Sequence, residues 1–215
     1  MDETLKALCD ELYTSTSSMQ QQLVDRLINR GQSIVPDLMA YFEDLKDDKN
    51  RATLLLVLIE LKDHRAEALF KKSLNSDNED VRTLSAQGLV LLNSPFAMQA
   101  CITTINDSID FAHSDITPAV LSLADMGEAV LPATLHLLND KDEDTRQHAQ
   151  KVFELVTYKK MQNQYKPHAL SDIARQAWNK LWDENGAYHW NMSEQERLVS
   201  IEKWKHWMKN NMTYF

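Results

Sequence analysis

A pattern that recurs about every 30 residues constrains this chain more than any other feature. Most copies begin with a polar or charged residue. Small or apolar residues follow three, four, six and seven positions later, on one face of a helix. The six copies begin at Gln20, Arg51, Arg82, Ile116, Arg146 and Arg175. Each interval fits two helices and two turns, and one such pair cannot bury both of its apolar faces alone. The pattern therefore predicts a stack of helix pairs.

The copies differ in how closely they follow the pattern. The clearest begins at Arg82 and carries Ser85, Ala86, Gly88 and Leu89 at the four offsets. The copies that begin at Arg146 and Arg175 place a polar residue, Gln150 or Asn179, at the second offset. The series is therefore interpreted as two good copies and four degenerate ones.

Glycine and proline mark where one helix ends and the next begins. Gly31 and Gly127 each follow the last core leucine of a copy by four residues, where a left-handed cap ends a helix. Pro36 and Pro132 come five residues later, and proline is favoured in the first turn of a helix. The chain has only 4 Gly and 5 Pro in 215 residues, which favours helices over a sheet with tight hairpins.

These features predict an all-α solenoid of about six helix pairs. The predicted helices span residues 2–13, 19–30, 34–45, 49–62, 64–75, 79–92, 95–106, 115–125, 128–138, 143–160, 169–184 and 194–211. Residues 161–167 are predicted to be a longer loop because Pro167 cannot continue a helix. One domain is expected over residues 1–215, with the repeats in 18–183 and a Trp-rich C-terminal cap in 184–215.

The starts of the two good copies carry a family resemblance. Asn78-Glu-Asp80-Val-Arg82 and Asp142-Glu-Asp144-Thr-Arg146, with the small residues downstream and a Leu-Pro-x-x-x-x-Leu-Leu helix before the second, resemble HEAT repeats. The resemblance is greatest to the short bacterial HEAT-like repeats also found in phycobilisome lyases, and it covers about residues 18–183. In that family an Asp and an Arg form a ladder between adjacent repeats. The resemblance implies that structural role for Asp80, Arg82, Asp144 and Arg146.

Charge is distributed unevenly along the chain. The formal net charge is −9, with 13 Lys and Arg against 25 Asp and Glu in residues 1–150 and 10 against 7 in residues 151–215. The acidic part would repel a nucleic-acid backbone and attract a basic protein. The first residues, Met1 to Cys9, lack a basic segment followed by an apolar run, and no later stretch approaches the roughly 20 apolar residues of a membrane span. We expect a cytoplasmic protein that binds no nucleic acid and no membrane.

The residues that could carry catalysis or hold a metal form no known motif. Cys9 and Cys101 match no metal or redox spacing and are expected to be isolated small hydrophobes on apolar helix faces. The nearest approach to a metal site is a series spaced by fours across a predicted helix, turn and helix: His136, Asp140, Asp144 and His148. Zinc ligands must converge on one point, and residues spread over two helices rarely do. We therefore expect no metal, no cofactor and no catalytic residue.

Acidic residues gather at the turns between paired helices, and in a solenoid equivalent turns line one rim. One interpretation is that they cap helix N-termini and favour the helix dipole. The other is that they form a negative rim that steers a basic protein and makes its binding sensitive to salt. Asp44 and Asp80 belong to these groups, and the candidate partner-binding residues are Asp47, Asp48, Asp77, Glu79, Asp140, Asp142, Glu143 and Asp144.

All five tryptophans lie in the last 40 residues. Trp178 and Trp182 share one helix face by spacing, as do Trp204 and Trp207, and Tyr188 and Trp190 lie between the two pairs. The helix from Ser193 to Asn211 is expected to cover the open end of the last repeat. An aromatic anchor site for a partner is the alternative.

The sequence thus favours a non-catalytic module that recognises another protein. An adaptor in a bacterial complex and an inhibitor of a basic toxin, such as an immunity protein, both fit an acidic curved surface. The resemblance to phycobilisome lyases leaves a lyase or chaperone for a tetrapyrrole chromophore as the alternative from a different class. The partner, the binding face and the oligomeric state stay open.

Overall fold

Helices are the regular structure of this protein. The computed structural model describes residues 3–15, 17–107, 116–165 and 172–212, and within these ranges there is no strand. The all-α prediction is therefore confirmed. The chain divides into two compact units, Met1–Ile109 and Asp110–Phe215, and each is described by itself. The prediction of one continuous domain stays a prediction.

The N-terminal unit consists of short helices joined by tight turns. They are α1 (Glu3–Thr14), α2 (Ser17–Ile28), α3 (Val35–Asp44), α4 (Asp48–Leu61), α5 (Glu67–Ser73), α6 (Glu79–Leu91) and α7 (Ala97–Thr103). Short 3₁₀ segments, Gln32–Ile34 and His64–Ala66, lead into α3 and α5. Helix α6 packs against α4, α5 and α7, and α4 also contacts α2 and α3. The helices of the two central repeat copies, α4 and α6, thus lie at the centre of the unit.

The repeat pattern identifies the core of this unit. In α4 the four residues at the pattern offsets, Leu54, Leu55, Val57 and Leu58, are all fully buried. Steric crowding explains why the residue at this offset in α6 is as small as Gly88, because a Cβ there would lie 2.7 Å from the Phe70 ring of α5. A larger side chain at this offset would force the two helices apart.

The C-terminal unit contains helices of very different lengths, from 4 to 22 residues. They are α8 (Pro118–Met126), α9 (Leu131–Thr134), α10 (Glu143–Gln164), α11 (Asp172–Glu184) and α12 (Glu194–Asn211). Helix α10 packs against α8 and α11, and α12 contacts the 3₁₀ segment Leu135–Asn139. The last helix has the bounds that the sequence predicts.

Two predicted elements of this unit differ in the structure. Helix α10 continues to Gln164, so residues 161–164 are not the predicted loop. They contain no glycine or proline, and burial of Met161 holds the extra turn. Residues 128–138 form α9 between two 3₁₀ segments, Gly127–Val130 and Leu135–Asn139, instead of one helix. Within it the Thr134 hydroxyl donates to the Val130 carbonyl at 2.9 Å, which competes with the regular helical bond.

Gly31 and Gly127 have nearly the same backbone conformation in the two units. Their φ angles are +71° and +76°, so the predicted need for glycine at positive φ is confirmed. Their ψ angles are −172° and −155°, however, which lie outside the left-handed helical region expected of a cap. Each residue lies at the start of a 3₁₀ segment that leads into a helix with proline in its first turn, α3 or α9.

Candidate functional site

The turn before α6 is held by Arg82. Asn78 caps the helix by accepting a hydrogen bond from the Val81 N–H at 3.0 Å, and Arg82 follows four residues after this cap. The Arg82 Nη1 donates to the carbonyls of Ser76 and Asp77, both at 2.9 Å. Its Nε and Nη2 donate to the two carboxylate oxygens of Asp107 at 2.7 and 2.6 Å. This bidentate pair raises the pKa of Arg82 and joins the turn to the chain beyond α7.

The turn before α10 repeats half of this arrangement. Asp142 caps the helix and accepts from the N–H and the hydroxyl of Thr145 at 3.0 and 2.7 Å. The Arg146 Nη1 donates to the carbonyls of Asp140 and Lys141, both at 2.9 Å. Its Nε donates to the Trp190 carbonyl at 2.9 Å. Both arginines therefore hold the two carbonyls five and six residues before them, and each then binds a different distant group.

The predicted ladder residues Asp80 and Asp144 are not among these contacts. Asp80 is half-buried in the first turn of α6, and Asp144 is exposed in the first turn of α10. The carboxylate that Arg82 contacts belongs to Asp107, which sequence reasoning missed because no pattern marks a residue 25 positions away. A ladder between adjacent repeats stays a prediction.

The acidic candidates of the N-terminal unit lie at the starts of α4 and α6. Asp47 caps α4 by accepting from the Asn50 N–H at 2.9 Å, as the capping interpretation expects. Asp48 forms an ion pair with Arg51 at 3.4 Å. Asp77 and Glu79 are exposed on either side of the Asn78 cap. Asp44 is the exposed last residue of α3.

Asp48 and Asp77 line the same depression, which has a volume of about 480 Å³. Glu43, Arg51 and Lys72 also line it. Each of the two cations faces a carboxylate, since Lys72 contacts Glu43 at 2.6 Å and Arg51 contacts Asp48. We call these five residues the acidic depression. The structure thus brings together acidic residues from two successive turns of the N-terminal unit.

The acidic candidates of the C-terminal unit lie within residues 140–144, at the turn before α10 and in its first residues. The Asp140 carboxylate accepts from the Asp142 N–H at 2.9 Å, which orders the loop before α10. Glu143 and Asp144 occupy the first turn of this helix and are exposed. Negative charge at a helix N-terminus is favourable by about 0.3–1 kcal/mol per group. The local geometry therefore supplies a helix-stabilising role for these residues.

Four of the tryptophans pack together in the C-terminal unit. Trp178, Trp182, Trp204 and Trp207 follow one another with ring centroids 5.4 Å apart at each step. Trp204 is fully buried and meets Phe153 of α10 edge to face. The rings therefore join α10, α11 and α12 within this unit.

Polar contacts fix the loop between α11 and α12. The Tyr188 hydroxyl donates to the Leu138 carbonyl, and the Trp182 Nε1 donates to the Tyr188 carbonyl at 3.2 Å. Burial raises the pKa of Tyr188 to about 12. Trp190 contributes its carbonyl to Arg146, and its N–H donates to Gln150 at 2.9 Å. Five of the six aromatic residues singled out from the sequence thus have buried or packed rings, and Trp190 acts through its backbone.

A groove of about 700 Å³ runs along the outer side of α12. Leu198, Val199 and Trp207 supply its apolar surface. Leu198 and Val199 are 41% and 50% exposed, which is unusual for large aliphatic side chains on the same helix turn. Sequence reasoning treated this helix as a cap and missed the groove.

The sequence singled out two cysteines and one series of His and Asp residues as candidates for reactive or metal chemistry. Cys9 and Cys101 are buried, as predicted. Burial raises the pKa of the Cys9 thiol to about 11, and Asp10 acts in the same direction, so the thiolate nucleophile is disfavoured. Within residues 3–15, 17–107, 116–165 and 172–212, no three His, Cys, Asp or Glu side chains group as metal ligands would. That finding covers His136, Asp140, Asp144 and His148.

Comparisons with known proteins assign no family to this chain. The chain matches no protein-family model, no curated protein and no solved structure. In the part of the chain that the structure describes, no helix has the length and apolar character needed to cross a membrane.

Proposed function

We propose that this protein is a non-catalytic, HEAT-like helical-repeat module that recognises a basic protein partner. In this proposal the helix pairs stack as a solenoid of about six repeats, with α12 as the terminal cap. The observation that carries the proposal is the acidic depression, where carboxylates from two successive turns lie around one concave surface.

The charges of the depression favour a cationic ligand. Its two cations are each engaged by a neighbouring carboxylate, whereas the exposed Asp77 side chain extends the negative surface beyond these pairs. A lysine or arginine of a partner would add a third cation among carboxylates that the fold already holds in place. Such contacts speed association and set specificity, and they weaken as salt rises.

An adaptor in a bacterial complex and a cytoplasmic inhibitor of a basic toxin both fit this chemistry. The acidic turn before α10, with Asp140, Asp142, Glu143 and Asp144, is proposed as a separate contact for a basic partner within the C-terminal unit. The alternative of a tetrapyrrole lyase or chaperone rests on the resemblance alone. Binding of a bilin by the purified protein would support that alternative.

The test begins with capture of partners by the tagged chain at low and high salt, followed by binding measurements with the purified partner. Asp48→Asn with Asp77→Asn should raise its Kd at least about tenfold, which is about 1.4 kcal/mol. Asn is nearly isosteric with Asp, so the surface changes in charge more than in shape. Isothermal titration calorimetry at two salt concentrations measures the effect.

A matched control separates local recognition from total charge. Glu3→Gln with Glu60→Gln removes the same number of charges from exposed positions of the N-terminal unit that do not line the depression. We expect its Kd to stay within about twofold of the wild type. Equal weakening by both double variants would reduce the effect to net charge, and no weakening by either would overturn the acidic-depression proposal.

A further inference from the structure

Arg51 occupies the same position in its repeat copy as Arg82 and Arg146, but its guanidinium makes fewer contacts. Each of these arginines lies four residues after the residue that caps its helix, which is Asp47, Asn78 or Asp142. Within the described residues, the one hydrogen bond of the Arg51 side chain goes to Asp48 at 3.4 Å, and its buried Nε has no acceptor. The guanidinium also lies 5.7 Å from the Phe42 ring centroid, near the outer limit of a cation–π contact. Arg51 is therefore held less firmly than its two equivalents.

Asp77 occupies the same position as Asp107, the carboxylate that Arg82 contacts. Each of the two aspartates lies four residues after the end of a helix, α5 or α7. Asp107 comes 25 positions after Arg82, and Asp77 comes 26 positions after Arg51. The Asp107 carboxylate accepts hydrogen bonds on both oxygens, whereas the exposed Asp77 carboxylate accepts none from any described residue. The ion pair of Arg82 and Asp107 thus has an unformed counterpart in the preceding copy.

Both members of this unformed pair line the acidic depression. Neighbouring cations already have close partners, since Lys72 contacts a carboxylate at 2.6 Å and Arg82 gives its bidentate contact to Asp107. Arginine side chains change between staggered rotamers, and a change at the outer torsions moves the guanidinium without moving the backbone. Arg51 is therefore the cation of the depression that a side-chain rotation can bring to Asp77.

We propose that Arg51 exchanges between Asp48 and Asp77, and that its contact with Asp77 closes the acidic depression against a cationic partner. The contact with Asp48, which this structure shows, leaves the depression open. The contact with Asp77 places the guanidinium where the lysine or arginine of a partner would bind. This autoinhibitory role rests on the proposed function, whereas the exchange between the two carboxylates does not.

The two contacts of Arg51 are close in free energy. The side chains of Arg51 and Asp48 are 33% and 41% exposed, and Asp77 is exposed as well, so water screens either ion pair. The closed contact also gives the Arg51 Nε an acceptor that the open contact lacks. We therefore expect a closed fraction of about one half, which would raise the apparent Kd of a cationic partner about twofold, because only the open fraction binds.

The Nε–Hε signal of Arg51 in ¹H–¹⁵N NMR spectra tests the exchange in the full chain without any partner. Its chemical shifts depend on the acceptor of the Hε proton, and they average over the two contacts because side-chain rotamer changes are fast. Asp77→Asn weakens the closed contact and Asp48→Asn weakens the open one. The two variants should therefore move the signal in opposite directions from its wild-type position. Arg51→Lys removes the signal and so assigns it.

Two controls show that a shift comes from the exchange. Glu79→Gln removes a charge two residues from Asp77 that does not line the depression, so it should leave the Arg51 signal in place. The Arg82 Nε–Hε signal, held by Asp107, should not move in Asp48→Asn. Opposite shifts in the two Asn variants support the exchange. An Arg51 signal that either variant leaves in place, or that both move in the same direction, overturns it.

Calorimetry with a purified basic partner tests the autoinhibitory role. Arg51→Gln and Lys72→Gln remove the same charge from the depression, but only Arg51→Gln removes the group that competes for Asp77. Arg51→Gln should therefore lower the Kd about twofold more than Lys72→Gln does. Equal Kd values for the two variants would overturn the autoinhibitory role. Opposite NMR shifts in a chain that binds no basic partner would support the exchange and overturn the proposed function.

Discussion

Arg82 and Arg146 occupy the same position in two copies of the repeat, and their contacts agree only in part. Each lies four residues after an N-cap and donates from Nη1 to the carbonyls five and six residues before it. Beyond this shared half, Arg82 binds the Asp107 carboxylate, whereas Arg146 binds the Trp190 carbonyl. The repeat therefore specifies how an arginine holds its own turn, and the surrounding unit specifies the distant partner.

The difference has an energetic consequence. Loss of Arg82 would leave the Asp107 carboxylate, whose side chain is 12% exposed, without its counter-charge. Loss of Arg146 would leave neutral carbonyl groups, which cost less to leave unpaired than a charge does. The same substitution at equivalent positions should thus have unequal effects.

The largest expected effect is that of Arg82→Ala. It should lower the free energy of unfolding by about 3 kcal/mol, because it breaks a mostly buried ion pair by removing one partner. Arg146→Ala should cost about 2 kcal/mol through three lost hydrogen bonds to carbonyls. Urea denaturation followed by far-UV circular dichroism measures both, and tryptophan fluorescence reports the C-terminal unit, which contains all five tryptophans.

Arg175→Ala is the control for these two variants. The Arg175 side chain is 70% exposed and lies 3.8 Å from Asp172, so its removal should cost less than about 0.5 kcal/mol. Equal losses for Arg82→Ala and Arg146→Ala would show that the shared carbonyl contacts dominate and that the distant partners contribute little.

A second pair of substitutions tests a feature that the two units share, the backbone conformation at Gly31 and Gly127. Gly31→Ala and Gly127→Ala should each cost about 2 kcal/mol, because their φ and ψ angles fall in a region that residues with a Cβ rarely adopt. No atom lies within 4 Å of a Cβ at either position, so the effect comes from the backbone and not from crowding. The two losses, measured by the same denaturation experiments, should agree within about 0.5 kcal/mol. A large difference between the two losses of unfolding free energy would mean that one of the two turns relaxes while the other is held in place by its unit.

The smallest expected effect concerns a second carboxylate–guanidinium pair of the N-terminal unit. Hydrogen bonds from Arg65 lower the pKa of Asp63 from 3.8 to about 2. Asp63 therefore contributes stability that is fully present above pH 3.8 and is lost as the pH falls through about 2. Asp63→Asn should be less stable than the wild type near neutral pH, and the gap should narrow as the pH falls from about 4 toward 2.

Urea midpoints at a series of pH values measure this gap. Asp183→Asn, at an exposed position of the C-terminal unit, serves as the matched control. A gap between wild type and Asp63→Asn that is independent of pH would assign the loss to the cap geometry before α5 and not to charge. The contacts of Arg146 with carbonyls include no carboxylate to titrate, so no such acid-sensitive loss of stability is expected from them.

Much of the local structure is predictable from the sequence because it depends on neighbouring residues. The bounds of α12 follow from the capping residue Ser193 and from Glu196, whose side chain completes the capping box. Positive φ at Gly31 and Gly127 follows from their position after the last core leucine. The end of α10 was predicted too early, because burial of Met161 extends the helix and burial is not a local property.

The candidate site residues also divide into those that neighbouring residues make predictable and those that depend on helix packing. Asp47 and Asp142 were recognisable as acidic residues at helix starts, and the structure gives both of them N-cap hydrogen bonds. The shared depression of Asp48 and Asp77 depends on the packing of the helices between them, so the sequence could only list its members. The groove along α12 was missed because the apolar residues of this helix were attributed to a cap.

The sequence by itself determined the helices, their caps and the small residues that let them pack. These features arise from backbone propensity and from hydrogen bonds that span a few residues. Only the tertiary structure decided that Arg82 meets Asp107 and that Arg146 meets Trp190. Those contacts join residues 25 and 44 positions apart, and their geometry depends on how whole helices pack within each unit.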